Sequence, residues 1–265
     1  MALHYSTDGA VATFLIKNGS VNPMTPDMHH EMFLALEQFE HDRDVKVGII
    51  TGEGTRAFSA GDDLKYPMPP ADAEERIYRH FYPYTGPEDP GSWPGWDRKV
   101  HEFPRFKPII AAVHGWCLGQ GMQYLLYHSD IRVAGRSAKF GMPEITYGMG
   151  GGGGIGRFFK HVPRVDALKM LLTGESIDAD EAFRIHLVNE VLDDDRVLAR
   201  ANELATRIAR HPLLAIRTEM EAFVRGEDLA KESGLALAHH IFRIQRLAFT
   251  EEDVAFSKSV HASDK

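Results

Sequence analysis

The sequence predicts an α/β fold. Strand, helix and strand follow one another with short connections between Val11 and Thr51, strands end in glycine-bearing turns at Ala60-Gly61-Asp62 and Leu118-Gly119-Gln120-Gly121, and the pattern turns helical from about Arg164. At 265 residues, 43% of them hydrophobic, the chain is long enough to bury a substantial core.

Val11-Ala-Thr-Phe-Leu-Ile16 reads as a strand and is followed by turn-prone residues up to Pro23. A helix begins after Thr25-Pro26, with Thr25 as its cap and Met28, Met32, Leu36 and Phe39 on one face. Val45 to Thr51 is a second, buried strand. Tyr66 to Pro94, rich in Pro, Gly, aromatics and acids, reads as a long loop with a helix around Ala73 to His80. Phe106 to Val113 is a strong strand leading into the second glycine turn. A helix over Met122 to His128 and a strand over Ile131 to Ala134 come next. Near the end, Ala201, Leu204, Ala205 and Ile208 share a helical face, as do Leu237, Ile241, Ile244 and Ala248. The organisation is a core over 1–195 and a helical region over 196–265.

Composition removes several function classes. A formal net charge of -8 disfavours general attraction to nucleic acid or anionic lipid, which requires a basic face. No apolar run approaches the ~20 residues that cross a bilayer, and the amino terminus lacks a signal-peptide pattern, so a cytoplasmic protein is expected. Cys117 is the single cysteine, which excludes an internal disulfide or a cysteine cluster and reads as a small core residue. The 14 histidines include the neighbours His29-His30 and His239-His240, which splay on a helix, and no His-Glu-x-x-His occurs; no metal is expected.

The two glycine turns carry the clearest chemistry. Backbone free of side-chain obstruction can present N–H groups to a ligand, and two such donors form an oxyanion hole, each worth ~2.7–4 kcal/mol of transition-state stabilisation. The same glycines equally permit plain tight turns. Gly151-Gly-Gly-Gly-Ile-Gly156 satisfies the dinucleotide pattern G-x-G-x-x-G, yet no apolar strand leads into it. Trp93, Trp96, Tyr78, Phe81, Tyr82 and Tyr84 line either an acyl pocket or a subunit interface.

Five motifs in register, Phe58-Ser-Ala-Gly-Asp-Asp-Leu64, Ile110 to Gly121, Ser129-Asp-Ile131, Phe140-Gly-Met-Pro-Glu-Ile145 and Leu172-Thr-Gly-Glu175, resemble the enoyl-CoA hydratase/isomerase (crotonase) superfamily from about Val11 to Val191. The resemblance implies a crotonase-like spiral of ββα units followed by helices that mediate trimer formation, often as a dimer of trimers. It implies an acyl-CoA substrate, coenzyme A being part of that substrate, and no separate cofactor. The oxyanion N–H groups fall on Asp62 and on Gln120, where the family usually has glycine. Ser20, Val21, Ala60 and Leu64 match places that hold coenzyme A, and Gly119 and Tyr124 join them as substrate contacts.

Hydratases of this family use two glutamates. Glu144 matches the second; at the first stands Gln123, or Tyr124 in a shifted register. Glutamine orients a water but cannot take its proton. The resemblance therefore implies an enoyl-CoA hydratase by family, with double-bond isomerisation through Glu144 alone as the alternative. Carbon–carbon hydrolysis aided by His114 or His128, and a non-catalytic CoA-binding module, complete the set.

Overall fold

The computed structural model describes residues 3–66, 72–74, 77, 96–151, 156, 158–251, 254 and 256. Strands are β1 (Leu3–Asp8), β2 (Val11–Ile16), β3 (Val47–Gly52), β4 (Ala57–Ser59), β5 (Ile109–Val113), β6 (Trp116–Leu118), β7 (Ile131–Gly135), β8 (Lys139–Gly141), β9 (Ile177–Asp178) and β10 (Glu190–Leu192). Helices among the described residues are α1 (Pro26–His41), α2 (Asp97–His101), α3 (Gln120–Tyr127), α4 (Phe158–His161), α5 (Arg164–Thr173), α6 (Ala179–Arg184), α7 (Val197–Ala209), α8 (Leu213–Gly226) and α9 (Lys231–Leu247).

One sheet has the order β1-β2-β3-β5-β7-β10, parallel from β2 onward with β1 antiparallel at the edge; a smaller sheet has the order β4-β6-β8-β9. The chain passes from one sheet to the other three times, β3 to β4, β5 to β6 and β7 to β8. Each time a short turn separates the two strands. Parallel pairing sets β4 beside β6 and β6 beside β8, with Ser59 opposite Cys117 and Leu118 opposite Gly141. The turns that leave these three strands therefore emerge side by side. This repeated strand pair bears out the α/β expectation and determines where the functional residues meet.

Alternating residues of the large sheet feed two cores. Phe14, Ile50, Ile109 and Ala111 pack under α1 and α3, whereas Val47, Ile49, Ile110, Ala112 and Val133 pack under α7. Burial on both faces explains why β3 reads as an uninterrupted apolar run. Helix α1 starts where expected, with Thr25 Oγ1 accepting from Met28 N at 3.4 Å and Pro26 in the first turn. Its face of Met28, Met32, Leu36 and Phe39 is fully buried, and each such side chain contributes about 1.5–3 kcal/mol of hydrophobic stabilisation.

Several boundaries differ from expectation. The strand expected from Phe106 begins at Ile109, because Phe106 to Pro108 form a tether in which Lys107 Nζ donates to Phe39 O at 2.6 Å and to Asp42 O at the end of α1. The helix expected from Met122 begins at Gln120, so the second glycine turn is itself the helix start. Helix α7 buries Val197, Ala201 and Ala205 on the large sheet, and α8 and α9 pair with each other beyond it. The strands β1, β4, β6, β8, β9 and β10 were absent from the sequence reading. Of these, β4, β6 and β8 have only three residues each, too few for a period to show.

Tyr78, Phe81, Tyr82, Tyr84 and Trp93, most of the loop over 66–94, and Gly152 to Gly154 lie outside the described residues; of the helix expected over 73–80, Ala73, Glu74 and Ile77 are described and are helical. Trp96 is described: its ring stacks on His30 with centroids 4.2 Å apart. Among the described residues no helix is long and apolar enough to cross a membrane, and no group of three or more His, Cys, Asp or Glu is arranged to hold a metal. Cys117 is fully buried, and burial pushes its thiol far above the ordinary range, in keeping with a core role.

Candidate active site

The first turn is held rigidly from below. Asn22, fully buried at φ 49°, donates through Nδ2 to Ala57 O at 2.8 Å and to Glu53 O at 3.0 Å, while Ser59 Oγ donates to Asn22 O at 2.8 Å. Gly61 N donates to Ser59 Oγ at 3.2 Å, and Met24 bridges the turn through Met24 N to Gly61 O at 2.8 Å and Asp63 N to Met24 O at 2.7 Å. Met24 stands just before α1. The clamp therefore brings the first turn of that helix against Ala60-Gly61-Asp62.

The second turn adjoins the first. A Cβ built on Gly61 would lie 3.2 Å from Gln120 N and 3.0 Å from Leu118 O, and Gly61 has φ 94°. Gly119 has φ 52° and precedes α3, whose first residue is Gln120; its own N–H donates to Gly141 O at 3.1 Å, tying the turn to β8. Among the described residues, neither Asp62 N nor Gln120 N is taken by an acceptor. Two neighbouring main-chain donors, one of them at a helix start, form a place where negative charge is stabilised.

Glu144 stands beside them on a 3-10 helix, Pro143–Tyr147, that leaves β8. A Cβ on Gly119 would come 3.1 Å from Glu144 Oε1. Its other oxygen, Oε2, is buried without a partner, and burial together with the negative charge of Asp62 raises the Glu144 carboxyl above its ordinary range. The Leu172-Thr-Gly-Glu175 motif supports this helix from behind: a Cβ on Gly174 would strike Thr146 Cγ2 at 2.6 Å.

Gln123 lies one turn into α3, where its amide N–H donates to Gly151 O at 3.2 Å and so holds the start of the glycine run. Tyr124 differs from its expected place among substrate contacts. It is fully buried, and its hydroxyl meets His29 Nδ1 at 2.6 Å, leaving it no surface for a ligand. Gln120 Nε2 donates to His101 Nε2 at 3.1 Å; burial, reinforced by His29, lowers His101 to about 4, so the ring is neutral and accepts.

Three residues at this site were not picked out by the sequence. His29 Nε2 lies 3.1 Å from Asp62 Oδ1, closing a chain from Asp62 through His29 to Tyr124; Asp97 and His101 flank it from α2. A signal for His29 was present, since residues 29, 32 and 36 fall on one helical face with the apolar stripe. Ala60 N donates to Val21 O at 2.9 Å, so Ser20 and Val21 run alongside the first turn, and Leu64 is 69% exposed beyond it.

Of the histidines considered for carbon–carbon hydrolysis, His128 packs behind the site against Tyr124, ring centroids 5.5 Å apart, and His114 stands apart. His128 is fully buried, with both ring nitrogens lacking a partner and its pKa driven well below the ordinary value by burial. His114 lines a separate cavity of about 500 Å³ with Thr51, Asp194 and Val197, and none of Asp62, Gln120 or Glu144 borders it.

The family model for enoyl-CoA hydratase/isomerase matches residues 6–261. The chain belongs to the enoyl-CoA hydratase/isomerase family. It is 36% identical over 218 residues to a 2,3-dehydroadipyl-CoA hydratase of Escherichia coli (strain K12), covering 82% of this chain and 78% of the relative. It is 31% identical over 241 residues to a short-chain-enoyl-CoA hydratase of Clostridium acetobutylicum, covering 89% and 85%. Among solved structures, an enoyl-CoA hydratase/isomerase from Mycobacterium paratuberculosis superposes with a TM-score of 0.78 at 28% identity, covering 100% of this chain and 96% of that one. The enoyl-CoA hydratase/isomerase fold expected from the five motifs is thus the fold found.

Proposed function

We propose that this enzyme adds water across the double bond of a 2-enoyl-CoA thioester. The reading is supported by the close approach of the two glycine turns, which brings the main chain at Asp62 and Gln120, whose N–H groups have no acceptor among the described residues, next to the half-buried carboxyl of Glu144. In this reading the thioester carbonyl oxygen accepts from both N–H groups. Negative charge then grows on that oxygen as the β-carbon is attacked, and the enolate takes a proton at its α-carbon from Glu144. A carboxyl raised by burial is suited to that donation, because it keeps its proton closer to neutral pH. The coenzyme A portion lies along Ser20, Val21, Ala60 and Leu64, beside the first turn. The chemistry calls for no metal or redox group, and a cytoplasmic setting fits its substrate.

Assembly belongs to the same proposal. Helices α8 and α9 expose Phe223 at 70% and Leu247 at 89%, apolar surface suited to contact between copies in a trimer.

Isomerisation is the second reading, favoured by the amide at Gln123, which occupies a helix position facing Gly151 without a titratable group. One experiment separates the two: purified enzyme is incubated with crotonyl-CoA and with a 3-enoyl-CoA in deuterium oxide, following loss of the enoyl thioester and deuterium at the α-carbon. Net hydration of crotonyl-CoA supports the hydratase. Migration of the double bond and label without hydration sinks it in favour of the isomerase.

A further inference from the structure

Hydration requires two proton-handling groups, one that receives the proton of the incoming water and one that supplies the α-carbon. Glu144 serves as the second, Gln123 cannot serve as the first, and Tyr124 is sealed in the core. Two other carboxylates lie in the site's neighbourhood among the described residues, Asp62 and Asp97. Asp62 carries one of the two unpaired N–H groups on its backbone, and its side chain is 27% exposed. Its charge acts directly on Glu144 and on Asp97, so all three acids share one neighbourhood.

The hydrogen bonding differs among these acids. Oε2 of Glu144 and Oδ1 of Asp97 are buried without partners, and burial raises both carboxyls. Asp62 Oδ1 instead faces His29 Nε2 at 3.1 Å. The Tyr124 hydroxyl meets His29 Nδ1 at 2.6 Å, and because an ionised carboxylate only accepts, the His29 Nε2–H donates to Asp62 Oδ1. The histidine thus occupies Oδ1 and fixes the carboxylate in orientation. Oδ2 has no partner among the described residues.

We propose that the Asp62 carboxylate, tethered through His29 to Tyr124, is the second proton-handling group of this site and receives the proton of the water that attacks the β-carbon. The proposal rests on the hydratase reading above. One O–H bond of water breaks as its oxygen bonds to the β-carbon, and that proton passes to Asp62 Oδ2. The π pair moves to the thioester oxygen, giving the enolate held by the two N–H groups, and the enolate then takes the Glu144 proton at the α-carbon. One water is consumed, and transfer of a proton from Asp62 to Glu144 through solvent restores the starting state. Asp62 is then a catalytic residue by both its main chain and its side chain, and His29 is a positioning residue.

The test uses two reactions that depend differently on Asp62. Deuterium exchange at the α-carbon of butyryl-CoA needs the two N–H groups and Glu144; hydration of crotonyl-CoA needs in addition a base for water. Asp62→Asn keeps the N–H and can accept from His29, but cannot take a proton. It is expected to lower hydration about 10²–10⁴-fold while leaving exchange within several-fold of wild type; Asp62→Ser, measured in parallel, is expected to do the same and serves if the amide variant fails to fold. Hydration within threefold of wild type in a folded variant overturns the proposal. So does loss of both reactions together, which would mean that the side chain merely holds the turn. A wild-type enzyme that exchanges but does not hydrate overturns the hydratase reading as well, and Glu144→Gln with hydration intact overturns that reading alone.

Discussion

A methyl group on Gly119 would stand 3.1 Å from Oε1 of Glu144. The second glycine turn and Glu144 are therefore in direct apposition, and a side chain at Gly119 would push the carboxyl aside by a few tenths of an ångström. Glycine at this position is required twice over, by that contact and by a backbone at φ 52°. Gly119→Ala is expected to cost about 1–2 kcal/mol of stability through the left-handed backbone and to lower hydration by at least about 10²-fold, because both the neighbouring N–H and the carboxyl shift. Denaturant unfolding and the hydration rate check the two parts separately.

Glu144→Gln removes a proton donor from a position that burial makes unfavourable for charge. Hydration is expected to fall about 10²–10⁴-fold with CoA-thioester binding retained. The stability effect has a definite sign. The folded carboxyl is raised above its ordinary 4.5, so the native state is disfavoured only where that group must ionise. Near pH 8 the amide variant should melt higher by about 2–4 °C, and the gain should disappear as pH falls below 4.5. A melting series over pH reads this directly.

His101 and His128 contribute to the acid limb of stability. Both are buried neutral, His101 lowered to about 4 and His128 well below its ordinary value. Between pH 6.5 and 4 the unfolded chain binds protons that the folded chain refuses, so stability is full above 6.5 and is lost as pH falls through this window. His101→Phe is expected to flatten part of that loss. An unchanged slope in urea unfolding across the window would assign it to other groups.

Asn22 has a separate stability role under the first turn. Replacing it by alanine leaves Ala57 O and Glu53 O without this donor and puts at φ 49° a residue less tolerant of the left-handed region than asparagine, for an expected loss of about 2–4 kcal/mol. Asn22→Gly loses the same bonds without the backbone strain and should be about 1 kcal/mol less damaging. Equilibrium unfolding of the two variants measures the difference.

If α8 and α9 form the contact between copies, Leu247→Glu, placed where 89% of the side chain is exposed, should leave the melting of the isolated fold intact while lowering the mass measured by sedimentation. An unchanged mass would direct attention away from this face.

Much of the fold was readable from local pattern. Strand β2 was expected over its observed limits, and the Met28, Met32, Leu36, Phe39 stripe of α1 is buried as its spacing required. Burial on a periodic element is a property of neighbours a few residues apart, so the sequence carries it. Short elements escape this logic: β4, β6 and β8 owe their existence to pairing with one another and have no period of their own.

The sequence alone pointed to the family, the two glycine turns, Glu144 as the candidate proton-moving group and Gln123 where the family places a first glutamate. Only the tertiary structure decided that Tyr124 turns inward and that His29, next in sequence to a His30 stacked on Trp96, bonds across to Asp62. The reason is distance along the chain. A contact such as His29 to Asp62 spans two elements brought together by the clamp at Met24, and nothing in either segment encodes the other's position until the two sheets are packed.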